Sequence, residues 1–283
     1  MTIIPILLYH SVSAEPAGWI APYAVTPQVF AHHVDLIVES GRTPMTVSEL
    51  RAALYGRTAL PPKPVLVTFD DGFADFAEAA AILASHRIPS TLYVTTGALR
   101  GRGPRPPEMA LPPAPMLEWS QLAEMADNRV EIGAHTHTHP QLDTLRTPVA
   151  VEEIRRCKHL LEDELGHEVS SFAYPHGFHS ARIRRAVETA GYNSACAVMN
   201  ALSSESDQVF SLARLTVCAT TAPGQITAWL AGRGAPVAPY PERLRTKVWR
   251  TYRRVRGTRS ARGVIAAATH DTSPSATHTT GAS

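Results

Sequence analysis

Short apolar runs alternate with longer amphipathic stretches along most of the chain, and most of the runs stop on polar or ionisable side chains. Runs at 3–8, 65–69, 90–95, 130–134, 194–198 and 212–217, with another ending at Ala173, have the length and β-branched content of buried strands. Helical spacing fills the gaps at 27–40, 73–86, 120–126, 148–165 and 181–190. The punctuation agrees. Thr26-Pro27 is an N-cap followed by proline at the first helical position, and Gly41 is placed to stop that helix. Thr46 and Glu49 resemble a capping box that opens a further short helix, while Gly166 and Gly191 close later ones. Repeated strand–helix alternation predicts a parallel α/β barrel.

Composition narrows the class. Hydrophobic residues make up 44% of 283 residues, enough for one sizeable core. Pro5 interrupts the first apolar run, which carries no basic leader, so it reads as a strand and not as a signal peptide. No uninterrupted apolar stretch approaches the ~18 residues of a membrane span. Three cysteines, Cys157, Cys196 and Cys218, are odd in number and scattered, which predicts reduced thiols and a cytoplasmic protein. The net charge of +2 hides an asymmetry: nine of the 27 basic residues lie in 243–262, while beyond Tyr240 only Glu242 and Asp271 are acidic. The expected organisation is a catalytic domain over 1–234, a basic helical extension over 235–262 and a disordered tail over 263–283.

Within the extension, Leu244, Val248, Tyr252 and Val255 fall on one helical face and Arg243, Lys247, Arg250, Arg253 and Arg254 cover much of the rest. That helix either packs on the barrel or lies on an anionic membrane surface through residues 243–256. Nucleic acid is disfavoured, because no series of base-stacking aromatics accompanies the charge. Two loops stand near strand ends. Residues 13–24 carry Trp19 and Tyr23, a lid in outline. Residues 97–115 hold six prolines with Arg100, Arg102 and Arg105, and read as a solvated connector ahead of a border to the site.

The chemistry concentrates at three strand ends. Asp70-Asp71-Gly72 follows the run at 65–69, and two adjacent carboxylates there repel unless a cation or proton intervenes. They serve either as caps for the next helix or as a ligand and a base around a metal ion. His135, His137 and His139 follow the run at 130–134; an extended chain places all three on one face, a helix only His135 with His139. Imidazoles are the commonest ligands for zinc and similar metals. Tyr174-Pro175-His176-Gly177 turns away from the third run, and Tyr9-His10 closes the first.

Thr68 to Gly72 (T-F-D-D-G), His135 to His139 (H-T-H-T-H) and Ser171 to Gly177 (S-F-A-Y-P-H-G) resemble, in order and spacing, the three leading motifs of the polysaccharide deacetylases, the NodB-homology domains of carbohydrate esterase family 4. The third motif is similar to the branch with an Ala-Tyr-Pro form. The resemblance implies a distorted, incomplete (β/α)7 barrel. It implies one divalent ion on Asp71, His135 and His139, zinc first, with cobalt, nickel or manganese as alternatives. Asp70 would be the base that activates water, and the His176 N–H would face the oxyanion. Tyr174, Pro175, His10 and His137 would contact substrate, an N-acetylated sugar, oligosaccharide or lipid-linked glycan.

Two family features are missing. The arginine of the third motif is replaced by Ala173, which makes Arg214 the candidate partner of the base. The Leu-x-His motif is absent, so the general acid falls to His176, then to His137 or His10. The leading expectation is a metal-dependent carbohydrate N-deacetylase. Alternatives are a hydrolase of a non-sugar C–N amide on the same site and an inactive glycan- or nucleic-acid-binding scaffold.

Overall fold

Seven parallel strands form one curled sheet in the computed structural model, which describes residues 1–240. They are β1 (Ile6–Tyr9), β2 (Pro64–Phe69), β3 (Ser90–Val94), β4 (Val130–Ala134), β5 (Ser171–Ala173), β6 (Ser194–Cys196) and β7 (Leu215–Thr216). Their spatial order is β6-β5-β4-β3-β2-β1-β7, with Thr43–Pro44 as a short parallel addition beside β2. Helices α1 (Pro27–Glu39), α2 (Val47–Leu54), α3 (Phe76–Ser85), α4 (Trp119–Asp127), α5 (Thr147–Leu165), α6 (Ala181–Thr189) and α7 (Pro223–Leu230) alternate with the strands. Every residue of β1, β2 and β3 is buried, as expected of strands covered on both faces.

The two edges of the sheet meet through one segment. Leu212 donates its N–H to Ala195 O and accepts from Ala197 N–H, both at 2.9 Å, so it bridges to β6. Three residues later β7 pairs with β1. The barrel is therefore incomplete, closed at a seam where β6 holds a single residue. The strand expected over 212–217 shrinks to two residues because Asp207 Oδ2 accepts the Ala213 N–H at 2.9 Å, drawing the chain out of the ladder.

Other departures have equally local causes. The run at 3–8 splits at Pro5, which has no N–H to give: Ile3–Ile4 pairs antiparallel with Ser203–Ser204, and β1 begins at Ile6. The helix expected from Phe73 starts at Phe76 because Phe73 is held in a bridge to Met116. Caps at Thr26, Thr46 and Gly166 occur where the sequence placed them. Residues 235–240 pack back on the barrel: Ala238 N–H donates to Leu202 O and Tyr240 OH to Met199 O. No helix among the described residues is long and apolar enough to cross a membrane. Both the basic helix at 243–256 and the tail fall outside the described residues.

Candidate active site

The carboxylate pair emerges where β2 stops. Asp71 adopts φ of 77° and Gly72 of 89°, a left-handed pair that throws the two carboxylates apart. A side chain at residue 72 would also meet Val94 Cγ1 at 3.2 Å. Neither aspartate caps α3, whose N-cap position is Asp75. Arg214, in the barrel seam just before β7, grips Asp70 with both ends of its fork: Nη1 to Oδ1 and Nη2 to Oδ2, each 2.7 Å. The Arg214 Nε donates to Ala197 O at 3.1 Å, so the fork is aimed from behind. Both residues are buried. Burial alone would raise the Asp70 carboxyl, but Arg214 and then His135 hold it below the usual carboxylate range. The arginine in turn is pushed up, Asp70 outweighing its burial.

The histidine stretch is neither extended nor helical. Left-handed Thr136 (φ 69°) and His139 (φ 61°) fold it into a turn that brings His135 and His139 together and sends His137 elsewhere. His135 Nδ1 donates to Ala173 O at 2.8 Å, and a carbonyl can only accept, so Nε2 is the bare nitrogen. That Nε2 lies 3.5 Å from Asp71 Oδ1, and His139 Nε2 lies 3.2 Å from the same oxygen. Despite these short approaches, Asp71 Oδ1 is buried without a hydrogen bond of acceptable geometry. Burial lowers His135 to about 4, so it is neutral at physiological pH. Burial would lift Asp71, but His139, His10 and His135 reverse this and keep it ionised.

One ligand atom from each of Asp71, His135 and His139 lies within 4.8 Å of the others. A buried carboxylate oxygen without a donor, facing two imidazoles, fits a divalent cation of the borderline kind. Asp71, Thr136, His139 and His176 all hold positive φ without being glycine, and backbone strain of this kind collects at functional sites.

A further residue supports this turn. Glu153 on α5 accepts the N–H of His137 at 3.0 Å, the N–H of Thr138 at 2.8 Å and the Thr138 hydroxyl at 2.7 Å. It clamps the loop that presents His139. Sequence reading missed it, because Glu153 is one acid among several on a long amphipathic helix. His137, expected at the substrate, is instead hydrogen-bonded through Nδ1 to Thr96 Oγ1 at 2.9 Å and does not line the cleft.

The cluster forms the floor of a cleft of about 540 Å³. His10 and His176 both line it, the latter with its ring centroid 4.8 Å from that of His139. The His10 Nδ1 is buried without a hydrogen-bond partner, and burial lowers this imidazole against the pull of Asp71 and Asp70. Tyr174 and Pro175 sit behind the turn: the Tyr174 hydroxyl donates to Phe210 O at 3.0 Å and its ring stacks on His179. Trp19 and Tyr23, from the loop expected to form a lid, line the cleft. The Pro-rich loop borders the cleft with Ala110, Leu111 and Pro112 and not with its arginines. Arg100 pairs with Glu118, Arg102 with Glu164, and Arg105 donates to Leu111 O.

Residues 57–195 match a family model described as polysaccharide deacetylase. Among curated proteins, YxkH of Bacillus subtilis, assigned to the polysaccharide deacetylases, is 24% identical over 215 residues, 76% of this chain and 71% of that protein. A Streptococcus pyogenes deacetylase, PplD, solved with acetate, superposes with a TM-score of 0.70 at 24% identity, over 80% of this chain and 96% of its own. IcaB from Ammonifex degensii gives a TM-score of 0.64 at 23% identity, over 82% and 97%. At these identities the likeness to the two structures is one of fold.

Proposed function

Because this chain belongs, through residues 57–195, to the polysaccharide deacetylase family, we propose that it hydrolyses the N-acetyl group of an N-acetylated sugar in a metal-dependent reaction. The observation that carries this reading is the junction of two groups: the Asp71–His135–His139 cluster on the cleft floor and, 3.8 Å from the His135 Nε2, the buried Asp70–Arg214 pair. Asp71, His135 and His139 would hold a divalent ion, zinc first, which when bound would supply Lewis acidity for the acetyl carbonyl and lower the pKa of water toward neutrality. Asp70, held ionised by Arg214, takes the proton from the attacking water. The N–H of His176, in the left-handed turn after β5, is our candidate donor to the charge that develops on the carbonyl oxygen.

The departing nitrogen needs a proton as the C–N bond breaks to give acetate and a free amine. We assign that delivery to His10. It lies on the cleft with a buried, unpartnered Nδ1, and the pull of Asp71 and Asp70 offsets part of the lowering that burial imposes on it. His176 is the second choice. His137 drops out because Thr96 holds it away from the cleft.

Acetate release from a panel of N-acetyl sugars tests the reading. Activity should vanish with a chelator and return with zinc. A metal-loaded enzyme that releases no acetate from any sugar would sink it. The apolar walls of the cleft favour one second reading, an amide on a non-sugar apolar carrier, and N-acetylated amines in the same panel decide between them.

A further inference from the structure

We infer that the rim of this cleft is a closed collar, so that the enzyme takes an N-acetylated sugar that stands alone or at the end of a chain and not one inside a polymer. This rests on the deacetylase reading and narrows its substrate class. An internal residue of a polymer leaves its site in two directions and needs an open groove on both sides. Here each sector of the rim is crossed by a contact between neighbouring loops.

Ala219 N–H donates to Pro22 O at 3.0 Å, tying the loop after β7 to the loop after β1. Trp19 Nε1 donates to Pro113 O at 3.1 Å, tying the loop after β1 to the loop after β3. Beneath that clasp Ile20, Phe73, Leu111 and Met116 form a buried apolar cluster of their own, which makes the clasp part of a packed wall. The loop after β3 also holds the loop after β2, through Ala74 N–H to Pro115 O at 3.0 Å, and the histidine turn, through Ala110 N–H to Thr138 O at 2.8 Å.

On the far side His139 packs against His176, and Arg182 donates to Leu145 O at 3.0 Å. Gly177 lies so close to Val198 that a side chain there would meet its backbone nitrogen at 2.4 Å. Thr216 N–H, donating to Asn200 Oδ1 at 3.2 Å, completes the circuit. The cleft volume of about 540 Å³ falls within the roughly 300–1,000 Å³ of small-molecule sites. Above the metal cluster the walls are largely apolar, with Trp19, Ile20, Leu111, Pro112, Phe178 and Val198 among them. Such walls offer few hydrogen bonds to sugars on either side of the one being cut.

The experiment is positional. The zinc-loaded full chain is incubated with an N-acetylglucosamine hexamer tagged at one end, with the disaccharide and with the monosaccharide. Tandem mass spectrometry then locates each acetyl group lost. The expected result is loss at a terminal residue in preference to internal ones by more than about tenfold, the factor that ~1.4 kcal/mol represents. Loss spread over internal residues overturns the collar while leaving the deacetylase standing. No acetate from any of the three overturns the deacetylase reading, and the collar falls with it.

Trp19→Ala and the milder Trp19→Phe, which keeps the ring but deletes the N–H clasp, should raise the internal-to-terminal ratio. Because that ratio is read within one sample, it is independent of how much active protein each variant yields. An unchanged ratio in both overturns the collar as the cause of the preference.

Discussion

Two carboxylates at opposite ends of this barrel meet opposite fates. Glu131, near the start of β4, accepts four hydrogen bonds: from Ser48 N–H at 3.0 Å, Ser48 Oγ at 2.6 Å, Thr91 Oγ1 at 3.0 Å and Ser171 Oγ at 2.6 Å. Both of its oxygens are satisfied by neutral donors, and the result is a strut that docks the N-terminus of α2 onto the sheet. Asp71, just past the end of β2, is buried and its Oδ1 has no donor. At one end of the barrel Glu131 is complete in itself, whereas at the other Asp71 has an acceptor too many, of the kind a divalent cation can answer.

The sharpest way to break that contrast is to remove ligands. His135→Ala and Asp71→Asn should each lose bound metal and, with it, all measurable acetate release, as metal content after dialysis would report. Asp70→Asn should keep the metal and lose about 10²–10⁴-fold in turnover, the usual worth of a general base. Equal loss of metal in Asp70→Asn and Asp71→Asn would mean that the two carboxylates share the ligand role.

Stability separates the two ends next. Arg214→Ala strands a buried Asp70 and should cost about 3–5 kcal/mol in urea unfolding. Glu131→Gln keeps the shape of its strut and should cost no more than about 1–3 kcal/mol, with metal content unchanged. If Glu131→Gln emptied the metal site, the two ends would not be separable. A smaller effect tests the clamp on the histidine turn. Glu153→Ala should weaken zinc binding by about 10–100-fold, as loss of a ligand's support usually does, while Glu153→Gln, which can still accept, recovers part of it. Competition with a chromophoric chelator reads both.

The smallest effect is a slope. In metal-stripped protein His135 is held at about 4, below its ordinary 6.5, so between those values the unfolded chain binds the extra proton. This contribution is complete above about pH 6.5 and declines as pH falls toward about 4. The lowered carboxyls of Asp70 and Asp71 act in the same sense at lower pH, their contribution being lost as pH falls through the folded values. Thermal melts of the stripped protein at pH 7 and pH 5 should show the fall, and zinc at pH 7 should raise the melting temperature. A flat profile between those two values would mean that His135 is not buried neutral.

What the sequence determined by itself was everything carried by local pattern. Buried strands announce themselves as β-branched runs, capped helices by Thr26, Thr46 and Gly166, and the metal-type donors by their clustering at strand ends. Local steric and hydrogen-bonding rules act over a few residues, so a few residues suffice to read them. The tertiary structure decided the rest, because it depended on groups far apart in the chain. Arg214 reaches Asp70 across 144 residues, and only closure of the seam by Leu212 aims it there. The roles of three histidines with alternating spacing were set by two left-handed residues and by Glu153 on a later helix, which turned His137 away from its neighbours. The rim is the furthest from the sequence. Trp19 meets Pro113 across 94 residues, and no pattern within either loop encodes the partner it finds in the other.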